Sequence, residues 1–506
     1  MLSPADLSRR HLIALLLGAV AVPLLPDRGV AEALARTPLP PARRVGRAAL
    51  TPAPATSADA LVAAAQLGGV VGYVVADART GTVLEGANGA LALPPASVAK
   101  TMTSLYALDL LGPGFRFDTR LIGTGAVIGG VVQGDLILAG SGDPTLATDD
   151  LAAMAKALKA KGITGITGRF LVWSGALPDI AEIDRGQPDH VGYNPAISGL
   201  NLNFNRVYFE WRKTGADYAI SMDARSDLYR PAVAMARMQV VNRQSPLYTY
   251  ASAEGRDDWT VARPALGTSG SRWLPVRHPA LYAGQVFQAM AAAQGIRLPA
   301  PKITAAVPPG SALVSHASAD LATILRDMLK YSTNITAEVV GLTASRAGGV
   351  KAASLAASAA AMNRWLGQTH GLRSAAFVDH SGLGGDTRIA AADLVTALLH
   401  PAGKTTLRGL MKQVPLVDAK GREVVDHPVR ITAKTGTLNF VSGLAGFATA
   451  KDGTDLVFAI LCADVARRDR VPMADREQPD GGQAWTRRAR RLQQGLIAHW
   501  SGLYGG

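Results

Sequence analysis

Between about Arg120 and about Pro309 the chain changes texture, and that break constrains its fold more than any other feature. Inside it short β-like runs recur at Leu136 to Ala139, Arg169 to Trp173, Arg206 to Trp211 and Tyr218 to Met222. Glycines and prolines separate them, and one helical pattern, Pro279 to Gln294, sits near the end. Outside it the patterns are mostly helical. Ahead of it come a short helix, Asp59 to Leu67, and two β-rich runs, Val70 to Ala76 and Thr82 to Leu84. The turn between those runs, Asp77-Ala78-Arg79-Thr80-Gly81, has hairpin chemistry. Ser97 to Leu111 is helical, with Met102, Leu105, Tyr106, Leu108 and Leu111 on one apolar face, and Gly112-Pro113-Gly114 breaks it. Behind the break lie helical patterns at Ala319 to Tyr331, Thr336 to Arg346, Leu355 to Leu366 and Ala390 to His400. Strand-like Leu444 to Ala448 and Leu456 to Cys462 follow, then a helix from Ala484 to Trp500. A chain of 506 residues is too long for one compact core, and 48% hydrophobic with 18% charged residues is a globular composition. A β-rich unit set within a second, helix-bearing unit is therefore expected.

The N-terminus reads as an address. Arg9 and Arg10 precede an apolar stretch from Leu12 to Leu25 that Pro23 and Pro26 end. Ala33-Leu34-Ala35, or Ala31-Glu32-Ala33, offers a small-x-small cleavage site. The paired arginines resemble a twin-arginine export signal, so residues 1–35 are expected to be removed and the mature protein to lie in the periplasm with no transmembrane anchor. Arg36 to Ser57, rich in Pro, Ala and Arg, reads as a linker, with structure beginning near Ala58. The single cysteine, Cys462, sits in an apolar run; it supports neither an intramolecular disulfide nor a metal cluster. The net charge of +13 includes Arg43, Arg44 and Arg47, and then Arg487, Arg488, Arg490 and Arg491, read as the solvated face of the last helix. Such a charge suits an anionic polymer or surface; no aromatic interleaving or motif points to nucleic acid.

Three short motifs carry the chemistry. Ser97-Val98-Ala99-Lys100 stands at the start of a helix, where a spacing of three makes both side chains neighbours across a turn. A serine hydroxyl needs a base to become a nucleophile, and a lysine serves only when burial or nearby positive charge lowers its pKa. Ser332-Thr333-Asn334 follows a helical segment, and Lys434-Thr435-Gly436-Thr437 opens a β-like run. Each motif alone occurs readily by chance. In this order they match the S-x-x-K, S-D-N and K-T-G signature of penicillin-binding proteins and related β-lactamases.

The chain resembles the D-alanyl-D-alanine carboxypeptidases/endopeptidases of the low-molecular-mass class C penicillin-binding proteins. Pro95 to Thr101 matches the first motif with its flanks; Gly134-Asp135-Leu136, Gly140 to Leu146 and Leu200 to Asn205 match the family's inserted domain. Asp379-His380-Ser381-Gly382-Leu383 resembles its Asp-Gly-Ser-Gly-Leu segment. The first two motifs lie 235 residues apart and the second and third 102, which leaves room for an insert that a compact β-lactamase lacks. Three departures stand out: Thr333 where Asp is common, His380 for a glycine, and Gly384-Gly385 where a serine and an arginine are frequent.

The resemblance implies an α+β, β-lactamase/transpeptidase-like catalytic domain, an antiparallel sheet flanked by helices. Its two parts would be residues 58–119 and 310–506, with 120–309 a large β-rich insert. It implies peptidoglycan stem peptides as substrates, β-lactams as covalent inhibitors, and no cofactor or metal. Ser97 would attack, Lys100 would take its proton, and backbone N–H groups of Ser97 and Thr437 would hold the oxyanion. Ser332 and Asn334 would relay the proton and hold Lys100, and Lys434 would set the local field. Thr435 and Thr437 would meet the substrate carboxylate, and Gly436 would let the substrate backbone approach. Which lysine or serine is the base in each half-reaction stays open. The alternatives are a β-lactamase or esterase of the same fold, against which the insert argues, and a non-catalytic wall-binding or penicillin-sensing module, which would not need Ser97, Lys100 and Lys434 together. Asp379-His380-Ser381 is not expected to work as a triad, because consecutive residues cannot line up as nucleophile, base and orienter. Gly140 to Pro144 lacks the lysine and helix of a phosphate loop and reads as a turn.

Overall fold

The structure is a computed structural model that describes residues 57–253, 255–418 and 422–505. The export signal, Arg43, Arg44, Arg47 and nearly all of the linker lie outside the described residues.

Helix α1 (Ala58–Ala65) is capped by the Ser57 side chain and leads into the antiparallel hairpin β1 (Val70–Asp77) and β2 (Val83–Ala87). Ser97 lies in a one-turn 3-10 segment, Ala96–Val98, that runs directly into α2 (Ala99–Leu111). Strand β3 (Asp118–Gly123) then enters a second region: β4 (Leu136–Gly140), α3 (Thr148–Ala160), β5 (Phe170–Trp173), β6 (Arg206–Thr214), β7 (Asp217–Asp223), β8 (Ala236–Val241), β9 (Tyr248–Ala253), β10 (Arg256–Ala262), β11 (Ser269–Pro275), α4 (Pro279–Ala293) and β12 (Ser311–Ala317). The chain returns through α5 (Leu321–Tyr331), α6 (Asn334–Ala347), α7 (Leu355–His370) and α8 (Ala391–Leu399). It closes with β13 (Lys412–Gln413), β14 (Arg430–Leu438), β15 (Val441–Thr449), β16 (Asp455–Ala463) and α9 (Gly482–Tyr504).

The sequence reading missed α3. Its Leu151, Met154, Ala155 and Leu158 are buried at helical spacing, but a run of alanines and lysines between them blurs the apolar stripe. Lys434 to Thr437 also sits differently from expectation. It occupies the second half of β14 rather than opening a strand, because β14 begins at Arg430.

The main sheet has strand order β13-β14-β15-β16-β1-β2 and is antiparallel throughout. Both of its faces are covered. On β16, Val457, Ala459, Leu461 and Ala463 join the core made by α2 and α5 to α8, while Leu456, Phe458, Ile460 and Cys462 join Trp485, Leu492, Leu496 and Trp500 of α9. This is why β16 reads as an unbroken apolar run instead of an alternating one. Burial raises the Cys462 thiol to about 12, an inert side chain as expected.

The second region has its own apolar cluster, from Leu121 to Val314, in which α3 and α4 pack on a mixed five-stranded sheet of β3, β4, β5, β12 and Lys302–Ile303. Two three-stranded sheets, β7-β6-β11 and β8-β10-β9, extend it. Leu177, Ile183 and Ile197 instead pack into the core beside α2. The second region therefore leans on the main sheet's helices close to Ser97.

Candidate active site

Two pieces of backbone bring the site together. The first is the turn before α2. Ala96 adopts a left-handed backbone, φ 48°, uncommon outside glycine, and is fully buried. Ser97 follows it half-exposed, whereas Val98, Ala99 and Lys100 are buried. The second is β14. A side chain at Gly436 would stand 2.5 Å from the Pro95 carbonyl oxygen and 3.0 Å from the Ser97 and Val98 nitrogens. Gly436 is thus needed so that the serine's turn can seat against the strand, a reason separate from the substrate approach expected of it.

Lys100 stands at the centre. Its Nζ lies 2.9 Å from Ser97 Oγ, 2.8 Å from Asn334 Oδ1 and 2.8 Å from the Ser381 carbonyl oxygen. The side chain is completely buried, and burial lowers its pKa to about 7 against the upward pull of Glu338 and Asp379. A neutral amine has two N–H donors and one lone pair. The amide and carbonyl oxygens of Asn334 and Ser381 can take both donors, and the lone pair then faces Ser97 Oγ. In that arrangement Lys100 could accept the serine proton.

The second cation sits on the adjacent strand. Lys434 Nζ donates to Ser332 Oγ over 3.0 Å and to the Thr435 carbonyl over 2.6 Å. Burial first, then Lys100 and Lys412, hold its pKa well below that of an ordinary lysine. Ser332 ends α5 in a left-handed conformation, φ 63°, which turns the chain so that Asn334 can start α6. Of the pair expected to hold Lys100, Asn334 does so and Ser332 faces Lys434 instead. Thr435 and Thr437 project from the opposite face of β14 to Lys434 and Gly436, with Thr437 exposed.

Two contributors escaped the sequence reading. Glu338, fully buried one turn along α6 from Asn334, accepts hydrogen bonds from the backbone N–H groups of His380 and Ser381. It thereby fixes the Ser381 carbonyl that holds Lys100. Burial, and then Asp379, push the Glu338 carboxyl up; burial likewise pushes Asp379 up, against the amide bonds it receives from Gly384 and Gly382. A carboxylate amid the apolar run Ile335 to Leu342, four residues after the asparagine, was the available signal. The second is the Tyr193 carbonyl, which accepts from Asn334 Nδ2 over 3.0 Å and ties the second region to the site. Outside that network, the Arg468 guanidinium lies 3.2 Å from where a side chain at Gly385 would begin. Arg388 turns inward on its own loop, donating to the Gly385 and Thr387 carbonyls.

Asp379-His380-Ser381 forms no triad. The His380 ring bonds Ser358 Oγ through Nε2 and packs flat over Gly341, where a side chain would come within 2.1 Å of it. Gly140 ends β4 and Ser141 to Pro144 are irregular backbone after it, without a helix N-terminus. Among the described residues no cluster of three or more His, Cys, Asp or Glu side chains suited to a metal is present, and no helix is long and apolar enough to cross a membrane. Of the last helix's arginines, Arg487, Arg490 and Arg491 are solvent-exposed as expected and Arg488 is half-buried; Arg488 donates to the Ala65 carbonyl and Arg490 to Thr437 Oγ1.

Comparison with known proteins places this geometry. A family model described as the D-Ala-D-Ala carboxypeptidase 3 (S13) family matches residues 55–483. A D-alanyl-D-alanine carboxypeptidase of an Actinomadura species is 28% identical over 444 residues, 78% of each chain. One from Haemophilus influenzae is 24% identical over 415 residues, 77% of this chain and 85% of that one. The crystal structure of penicillin binding protein 4 from Haemophilus influenzae superposes with a TM-score of 0.70 at 20% identity, over 87% of this chain and 99% of the other. The fold is α+β, of the penicillin-binding, transpeptidase-like kind.

Proposed function

The chain belongs to the D-Ala-D-Ala carboxypeptidase 3 (S13) family, and from that membership we propose how its own residues perform the family's reaction. It is a serine-type D-alanyl-D-alanine carboxypeptidase/endopeptidase that works through an acyl-enzyme and is acylated by β-lactams. The observation that carries the mechanism is the three-way hold on Lys100 Nζ, which leaves its lone pair to Ser97 Oγ.

In the forward half-reaction, Lys100 takes the Ser97 proton as Oγ attacks the carbonyl of the penultimate D-alanine. Backbone N–H groups of Ser97 and Thr437 receive the oxyanion, one such donor typically contributing roughly 10²- to 10³-fold in rate. The proton reaches the leaving amine through Ser332, whose hydroxyl Lys434 orients. Asn334 keeps Lys100 in place. Water then hydrolyses the ester, with the same groups acting in reverse. The open edge of β14 beyond Ala433 supports an extended substrate lying beside Lys434 to Thr437, since β13 pairs only with Thr432 and Ala433.

In this reading residues 58–119 and 310–506 form the catalytic domain, and 120–309 a β-rich insert that steadies Asn334 through Tyr193. Residues 1–35 direct export, so the enzyme meets peptidoglycan stem peptides in the periplasm. The +13 charge supports retention on the anionic wall, which added salt should weaken.

Three incubations test the reading: a peptide ending in D-Ala-D-Ala, a purified cross-linked muropeptide dimer, and a chromogenic cephalosporin. Release of D-alanine or cleavage of the dimer, abolished in Ser97→Ala, is expected, with only slow turnover of the cephalosporin. Fast cephalosporin turnover without peptide cleavage would indicate a β-lactamase. Stoichiometric acylation with no peptide cleavage would indicate a sensor.

A further inference from the structure

The face of β14 that Lys434 does not use carries a second cationic group. Ala433 packs in the core beneath α9, so Thr435 and Thr437, at alternate positions, share its side of the sheet. Lys412 on β13 stands opposite Ala433 and is on that side as well. Above them runs α9, and its register is fixed by a buried contact. Gln493 Nε2 donates to Ser442 Oγ over 3.1 Å, and Ser442 is the cross-strand partner of Thr437. Arg490, one helical turn earlier, projects past this anchor. Its Nη2 lies 3.3 Å from Thr437 Oγ1.

These cations lack the partners that basic side chains near a protein surface usually find. Among the described residues no carboxylate lies within ion-pair distance of Lys412, Lys434 or Arg490. Burial, and then Arg490, lower the Lys412 ammonium, and Lys412 in turn lowers Lys434. Two cationic side chains, Lys412 and Arg490, thus meet without a carboxylate on one face of β14 at its free edge, beside an exposed threonine, with Lys434 buried on the other face. A singly charged anion at that edge would relieve the repulsion, and a planar guanidinium beside a hydroxyl suits a carboxylate.

We propose that Arg490 is a specificity-determining residue of this site: with Thr437 Oγ1 it binds the carboxylate that lies α to the scissile amine, and Lys412 supports it from behind. This rests on the acyl-transfer reading of Ser97. It extends that reading by making a negatively charged leaving residue a requirement of recognition, supplied from the last helix of the chain. Acid and amide forms of one substrate would then differ through Arg490.

The test compares wild type, Arg490→Gln, Arg490→Lys and Lys412→Gln on an N-acylated peptide ending in D-Ala-D-Ala and on its C-terminal amide. Acylation by benzylpenicillin and by its methyl ester is read in parallel, so that slow turnover of the amide still leaves a measurement. Arg490→Gln should lose roughly 10- to 100-fold in kcat/KM on the free acids. It should change less than about threefold on the amide and the ester. Arg490→Lys should recover part of the loss, and Lys412→Gln should show a smaller loss of the same kind. A loss below about threefold on the free acids overturns the proposal. So does an equal loss on charged and neutral forms, which would assign Arg490 to the packing of α9. Wild type that neither cleaves the peptide nor takes up penicillin would instead overturn the reading of Ser97.

Discussion

Lys100, the proposed base, illustrates how burial can strip a surface residue type of its charge. Four methylenes and an ammonium are taken fully out of water, and the loss of hydration disfavours the charge more than Glu338 and Asp379 restore it. Acylation needs the neutral amine, so its second-order rate with penicillin should fall about tenfold per pH unit below about 7 and level off above it. Stopped-flow acylation from pH 5 to 9 checks this; a flat profile would remove Lys100 as the base. His380 carries a different consequence. The unfolded chain takes up its proton near pH 6.5, but burial delays protonation in the folded state to about 3. Protons therefore favour unfolding in that window. Stability is complete above pH 6.5 and is lost by about 1.4 kcal/mol per unit as the pH falls towards 3. His380→Gln should flatten the pH dependence of the urea midpoint between pH 6.5 and 4, and an unchanged slope would contradict this.

At the level of elements, the site is a junction between the turn before α2 and the strand β14. Gly436→Ala would drive a methyl group against the Pro95 carbonyl and the Ser97 amide, both backbone atoms that cannot rotate away. The serine would be displaced, and a misplacement near 1 Å costs about 100-fold. Penicillin acylation of Gly436→Ala should drop by at least about that factor, read at a temperature well below the variant's own, lowered melting temperature so that the protein assayed is folded; normal acylation would show that the turn has slack. Much of this junction was legible beforehand. Ser97, Lys100, Ser332, Asn334 and Lys434 announce themselves by residue type and order, and the structure places them in two hydrogen-bonded groups, Ser97, Lys100 and Asn334 in one and Ser332 with Lys434 in the other. The helices and strands of the main sheet followed from periodicity because long apolar stripes face its core. What stayed hidden depends on contacts between remote segments. Glu338 looks like any carboxylate until two amides from the loop at 380 and 381 are seen to need it. Tyr193 acts through its carbonyl, which no side-chain pattern reveals. Arg490 belongs to a run of arginines whose identical side chains differ only in what α9's register places beneath them.

The whole molecule joins the proposed acyl-transfer site to a second region, the proposed insert, that meets it through the Tyr193 carbonyl and carries a separate core. That arrangement explains why the first two motifs stand 235 residues apart yet meet around one lysine. The proposed export signal would set the protein's place of action. Replacing Arg9 and Arg10 together by lysine should hold the protein in the cytoplasm, as read by cell fractionation; undiminished export would exclude the twin-arginine route. Every part of the mechanism nevertheless passes through one atom, Ser97 Oγ. The most direct measurement incubates the mature protein with a fluorescent penicillin and maps the label by peptide mass spectrometry. A single adduct on Ser97, absent from Ser97→Ala and slowed in Lys100→Met, is the expected result. A label on any other residue, or one that persists in Ser97→Ala, would contradict it.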